Sequence, residues 1–144
     1  MTAGIWIARA LALVGFADAA YLTATHYAGA PVFCGASGGC ETVLTSEYAS
    51  IGAVPVALVG AVYYGIASLA AWTPRQAWSR RTAAFLAVLT GAGLAVTAVL
   101  FWLQATVIDA WCRFCLASAA ITTLLFATAL YLTRSVGREP DGPP

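Results

Sequence analysis

An all-α integral membrane protein, built as a four-transmembrane-helix bundle with a long exterior loop between helices 1 and 2, is the fold class this sequence predicts. Three observations predict it. The chain of 144 residues is 61% hydrophobic and only 9% charged, its mean hydropathy is +0.83, and it contains no lysine. Soluble domains carry about a quarter of their residues as charges, so a soluble core is excluded as the natural solution. Uncharged runs cover 48–74, 82–108 and 114–133, each long enough for the roughly 20 residues of a spanning helix. Finally, Arg9, Arg75, Arg80, Arg81, Arg134 and Arg138 fall on one side of a four-span arrangement and Arg113 alone on the other. By the positive-inside rule both termini are then cytoplasmic.

Taken in order, helix 1 is expected over about 5–27. It holds Arg9 and Asp18, which makes it the weakest span by hydropathy. A secretory signal peptide is the competing reading, but the basic start is poor and the apolar stretch exceeds a typical signal core. The loop 28–53 follows, and Pro55 suits the first turn of helix 2 over 54–72. Within that loop the glycine-rich run Cys34-Gly-Ala-Ser-Gly-Gly-Cys40 is expected to be irregular, and residues 41–48 to form a short interfacial helix. A cytoplasmic turn through Trp72-Thr-Pro-Arg75 leads to helix 3 over 82–107, and helix 4 spans 111–132. Residues 1–134 thus form one domain, and 135–144, rich in Gly and Pro, a flexible tail. Trp6, Trp72, Trp102, Trp111, Tyr27 and Tyr48 fall mostly near span ends, as an aromatic belt does. Nothing resembles a basic nucleic-acid patch.

Function is concentrated in four cysteines. Cys34 and Cys40 lie in the exterior loop, and Cys112-Arg-Phe-Cys115 opens the last helix, so both pairs sit at one membrane face on the side where disulfides persist. Two thiol pairs on one face are laid out like a relay. If Asp109 or a neighbour caps the last helix, both sulfurs of the C-x-x-C lie at i and i+3 near unpaired N–H groups, where the helix dipole and Arg113 favour a thiolate. Three other readings compete. Zinc is disfavoured because five residues separate Cys34 from Cys40, wider than structural sites use, so no metal is expected. Two structural disulfides in a membrane scaffold, and chance placement of inert cysteines, are the other two.

The loop pair, the stretch Glu41-Thr-Val-Leu-Thr-Ser46, the run Gly52-Ala-Val-Pro-Val-Ala-Leu-Val-Gly60 and the final C-x-x-C together resemble the vitamin K epoxide reductase family, its bacterial homologues in particular. The resemblance covers nearly the whole chain. It implies a four-helix bundle around a quinone, menaquinone or ubiquinone, that accepts electrons as a substrate. It also implies a bacterial cell-membrane location and a role for each cysteine. Cys34 would form the mixed disulfide with a reduced, extracytoplasmic thioredoxin-like protein, Cys40 would attack Cys112, and Cys115 would face the quinone and pass two electrons on. Disulfide bonds in exported proteins would be the outcome. Many bacterial homologues carry a fused thioredoxin-like domain, so the partner is expected here as a separate protein.

The same resemblance points to Ser46 as the family serine that supports loop and ligand. Where animal members place a tyrosine one turn beyond the second C-x-x-C cysteine, this chain has Ala119, which favours simple quinone reduction over reduction of vitamin K epoxide. Trp111 and Phe114 flank the cysteines and are candidate walls of a quinone pocket. Asp18, nine residues beyond Arg9, would lie about 13 Å into the bilayer, where an ionised carboxylate is costly. A helix-to-helix hydrogen bond and a proton path to the quinone are its two readings. His26, the lone histidine, is expected near the outer surface, either as an interfacial side chain or in proton transfer. A further rival is the other bacterial quinone-linked disulfide generator, in which the order of C-x-x-C and spaced pair is reversed.

Overall fold

The computed structural model describes residues 1–35 and 39–136, with the backbone alone at Arg75. Expectations for Arg138, for most of the tail and for the centre of the glycine-rich loop lie outside the described residues. The chain is mostly helical. Helix α1 (Thr2–Ala28) is followed by a short α2 (Gly39–Leu44), a 3-10 turn at Glu47–Ala49, and a two-stranded ribbon of β1 (Ser50–Ile51) and β2 (Val54–Pro55). Helix α3 (Val56–Ala71), α4 (Arg80–Leu103) and α5 (Arg113–Val136) complete it, with a π turn at Gln104–Ile108 between the last two. The ribbon is antiparallel, Ser50 facing Pro55 and Ile51 facing Val54.

Helices α1, α4 and α5 are long and apolar enough to cross a membrane. Helix α3 has 16 residues, about 24 Å at 1.5 Å per residue, a little short of a 30 Å hydrocarbon layer. The architecture is that of a membrane helical bundle, and its packing agrees. Ala8, Ala12, Ala67, Ala71, Ala83 and Ala129 are fully buried, whereas Leu69 is 78% and Val88 73% exposed. Small residues inside and large aliphatic ones outside is the inverse of a water-soluble core. It follows from a solvent as apolar as leucine, in which helices gain by close backbone approach rather than by hiding oily side chains.

Some polar groups inside the bundle are paired across helices. Tyr64 of α3 is 1% exposed; its hydroxyl donates to Ser118 O at 3.0 Å and meets Ser118 Oγ at 2.9 Å and Thr122 Oγ1 at 2.8 Å on α5. Arg9, which weakens the first span by hydropathy, turns out to serve the end of α3. Its Nε donates to Ala71 O at 2.9 Å and Nη2 to Thr73 O at 3.1 Å, and its guanidinium lies over the rings of Trp6 and Trp72. Carbonyls left open at a helix C-terminus, and the negative end of its dipole, explain why a cation belongs there.

Between α1 and α3 the structure departs from expectation. The short helix begins at Gly39 and not at 41, so Cys40 is helical, and it stops at Leu44. The reason is tertiary: a Cβ on Gly39 would lie 2.5 Å from Trp111 O and 3.2 Å from Trp111 N. Only glycine lets the first turn of α2 rest directly on the backbone beside Cys112. Pro55, with φ −68° and ψ 140°, precedes α3 as its N-cap residue.

Candidate active site

The start of α5 is built by the end of α4. Helix α4 runs into the π turn, and Asp109 reverses the chain in the left-handed conformation, φ 50°, which an Asp tolerates better than most residues. Ala110 N–H returns to Gln104 O at 3.3 Å, and Gln104 Oε1 accepts the Cys112 N–H at 3.1 Å. Gln104 is 4% exposed and Cys112 wholly buried. Cys112 O accepts the Leu116 N–H at 2.9 Å, and Cys112 Sγ accepts the Cys115 N–H at 3.3 Å. A side-chain atom bonding the N–H three residues on is the N-cap geometry, here made by sulfur in place of oxygen. The cap expected of Asp109 or a neighbour therefore falls to Cys112 itself, and Asp109 serves the turn before it.

This arrangement favours charge on Cys112. Its thiol is lowered to about 7, first by the hydrogen bond from the Cys115 side chain and further by the backbone N–H groups of Cys115 and Phe114; burial and the charge of Asp18 oppose the shift. Arg113 is not among the causes. Its guanidinium reaches the loop instead, where a Cβ on Gly35 would lie 3.7 Å from Nη1.

Cys34 and Cys40 are joined as a disulfide with Cα atoms 6.0 Å apart, while Cys112 and Cys115 are thiols. Both pairs belong to one cluster: Cys34, Cys40, Val43 and Cys112 are buried together, with Cys115 and Phe114 packed against them. Cys40 is fully buried against this cluster; Cys34 keeps 8% exposure beside Phe33, which is 85% exposed.

Below the cluster lies a cavity of about 730 Å³ bounded by all four long helices and roofed by the loop. Cys115 lines it, with Asp18 and His26 of α1, Tyr63 of α3, and Ala119 of α5; Ser46 and Gln104 close its loop side. Ser46 Oγ donates to Val43 O at 2.7 Å, which ties the end of α2. His26 is exposed, edge-on to Tyr27 in the last turn of α1. Asp18 Oδ2 and Tyr63 Oη are buried without a hydrogen-bond partner among the described residues.

Trp111 and Phe114 are not part of this wall. Trp111 is turned outward onto Phe101, ring centroids 5.2 Å apart, and Phe114 packs on Tyr21 at 5.4 Å. Adjacent positions on an extended segment and a helix start point in different directions, so residues flanking a cysteine in sequence need not flank it in space.

A vitamin K epoxide reductase family model matches residues 6–130. The chain belongs to the vitamin K epoxide reductase family. It is also 30% identical over 117 residues to the thiol-disulfide oxidoreductase LTO1 of Arabidopsis thaliana; that match takes in 76% of this chain and 31% of the plant protein. The chain therefore spans about a third of the length of that relative.

Family membership covers the whole of the site. Gln104 and Tyr63 are the members of it that sequence reasoning passed over. An amide within the third expected span was a legible signal, since a polar side chain at membrane depth needs a partner. Tyr63 was masked by its neighbour Tyr64, because two adjacent tyrosines look alike until packing gives one hydroxyl partners on α5 and leaves the other without.

Proposed function

We propose that this protein is a quinone-dependent thiol oxidoreductase of the bacterial cell membrane. Residues 1–134 act as one four-span domain, both termini cytoplasmic and the cysteines on the exterior face. The juxtaposition of both cysteine pairs in one buried cluster, with Cys115 alone of the four opening onto the cavity, is the observation that carries this reading.

Electrons enter at Cys34, whose remaining exposure beside Phe33 gives a reduced, extracytoplasmic thioredoxin-like protein a point of attack. Breaking the Cys34–Cys40 bridge frees Cys40, which is held against Cys112 by the contact of Gly39 with the Trp111 backbone. Exchange by an attacking thiolate moves the disulfide from one pair to the next without intervening diffusion. With the loop pair oxidised and Cys112 and Cys115 as thiols, the molecule stands at the stage before electrons leave. Cys112, lowered to about 7, is the ready nucleophile that closes the Cys112–Cys115 bridge, with the quinone as the two-electron oxidant.

A quinone fits this cavity: it is a flat apolar ring with two carbonyl acceptors, and the wall offers apolar surface with two buried polar atoms lacking partners, Asp18 Oδ2 and Tyr63 Oη. Bound there, the quinone supplies the chemistry of a two-electron, two-proton acceptor. Asp18, with no protein partner for Oδ2, suits proton supply better than a helix-to-helix bond. Ser46 holds the roof. Disulfide formation in exported proteins is the net result.

Quinone reduction by the purified protein with a reduced thioredoxin-like donor tests the proposal. Cys34→Ala should lose activity with the protein donor and keep it with a small dithiol; Cys115→Ala should lose both. A wild type that reduces no quinone with any donor, and whose disulfides resist mild reductant, would be a stapled scaffold instead.

A further inference from the structure

Two tyrosines stand side by side on α3 and have opposite fates. The Tyr64 hydroxyl is saturated: its single proton goes to Ser118 O, and its lone pairs face the hydroxyls of Ser118 and Thr122. Thr122 is near enough to act on the Tyr63 phenol as well, but Tyr63 Oη is buried and no atom among the described residues meets it in hydrogen-bond geometry. A phenol proton buried without an acceptor is costly unless something outside the protein accepts it.

Space for this hydroxyl is made on the facing helix. A Cβ on Gly93 of α4 would lie 2.6 Å from Tyr63 Cζ and 2.7 Å from its Oη, closer than side chains tolerate. Glycine at 93 therefore leaves the slot in which the ring and hydroxyl lie, although glycine in a helix interior costs stability relative to alanine. Both residues line the cavity onto which Cys115 opens, and Ala119, one turn beyond Cys115, lines it too without a polar group. Helix α5 thus offers no phenol at this depth, and α3 does.

We propose that Tyr63 donates the hydrogen bond that holds and polarises a carbonyl oxygen of the quinone, a contact that Ala119 cannot make. The proposal rests on the reading of the cavity as the quinone site. Closure of the Cys112–Cys115 bridge releases two electrons and two protons, and the quinone takes up both as quinol. Tyr63 keeps its own proton throughout and lends only the hydrogen bond, which strengthens as negative charge gathers on the carbonyl oxygen. It is a binding and polarising group, and Gly93 is the position that permits it.

Menadione, a naphthoquinone with two carbonyls, is a suitable probe. Its affinity and its carbonyl infrared bands are measured on the full chain in lipid nanodiscs, for wild type, Tyr63→Phe and Gly93→Ala. Wild type should bind with one carbonyl band lowered from its free position. Tyr63→Phe, which removes one oxygen atom, should return that band and raise the Kd about 3- to 10-fold, as loss of one hydrogen bond does. Gly93→Ala, favourable for the helix itself, should abolish the lowered band by displacing the hydroxyl. A lowered band and wild-type affinity retained in Tyr63→Phe, or no lowered band in wild type, overturns the role of Tyr63 and leaves the quinone reading standing. No binding of menadione by wild type removes both.

Discussion

At Cys112 a sulfur occupies the place where helices ordinarily put a serine or aspartate oxygen. Accepting N–H bonds there favours the thiolate, so the cap and the nucleophile are one atom. With the loop cysteines replaced by serine, ultraviolet thiolate absorbance should rise as pH increases through about 7, where an ordinary thiol stays protonated until about 8.5. Gln104→Glu keeps the acceptor for the Cys112 N–H but adds a negative charge beside the thiolate, and should move that titration to higher pH. Gln104→Leu removes the acceptor and leaves a buried N–H unmet, costing about 1–3 kcal/mol on unfolding in detergent. The cysteines themselves and their pairing in sequence were legible from spacing. That Gln104 supports them was not, because the link joins residues on either side of a π turn and a left-handed Asp109, neither of which has a sequence signature.

Helix α2 is too short to be stable alone, and its place is fixed by contact. The first turn of α2 lies on the Trp111 backbone through Gly39, and this is the joint between the two cysteine pairs. Gly39→Ala should slow disulfide exchange between the pairs at least tenfold while reduction of the Cys112–Cys115 bridge by a small dithiol continues, a difference that rapid quenching with alkylating reagent reads directly. Propensity makes the glycine-rich run irregular; at its end tertiary contact overrides this, since Gly39 and Cys40 are helical and glycine at 39 is there for proximity. Arg9 is the parallel case on α1. Hydropathy counts it only as a penalty, but it closes carbonyls at the end of α3. Arg9→Leu, more apolar by any scale, should destabilise the protein by about 1.5–3 kcal/mol through loss of charged hydrogen bonds, measured as a lower midpoint of thermal aggregation in detergent.

At the scale of the molecule, alanine within and larger aliphatic residues without mark a bundle assembled in lipid, with the four cysteines gathered at one end. In intact cells a membrane-impermeant thiol reagent should label the reduced loop pair from outside, Cys34 far faster than Cys40, because Cys34 keeps some exposure and Cys40 has none; labelling confined to inverted vesicles would reverse the proposed orientation. Composition, the long uncharged runs and the arginine asymmetry were enough for the membrane class, since the cost of exposing polar groups to hydrocarbon acts on every residue and is visible in a one-dimensional string. Cysteine order was enough for the family. Packing alone decided the rest: that Cys112 caps its own helix, that Trp111 and Phe114 face away from the cavity, and that the Tyr64 hydroxyl is satisfied on α5 while that of Tyr63 is not. Those outcomes depend on which atoms meet across helices distant in sequence, and close contact between such helices leaves no periodic trace in the chain.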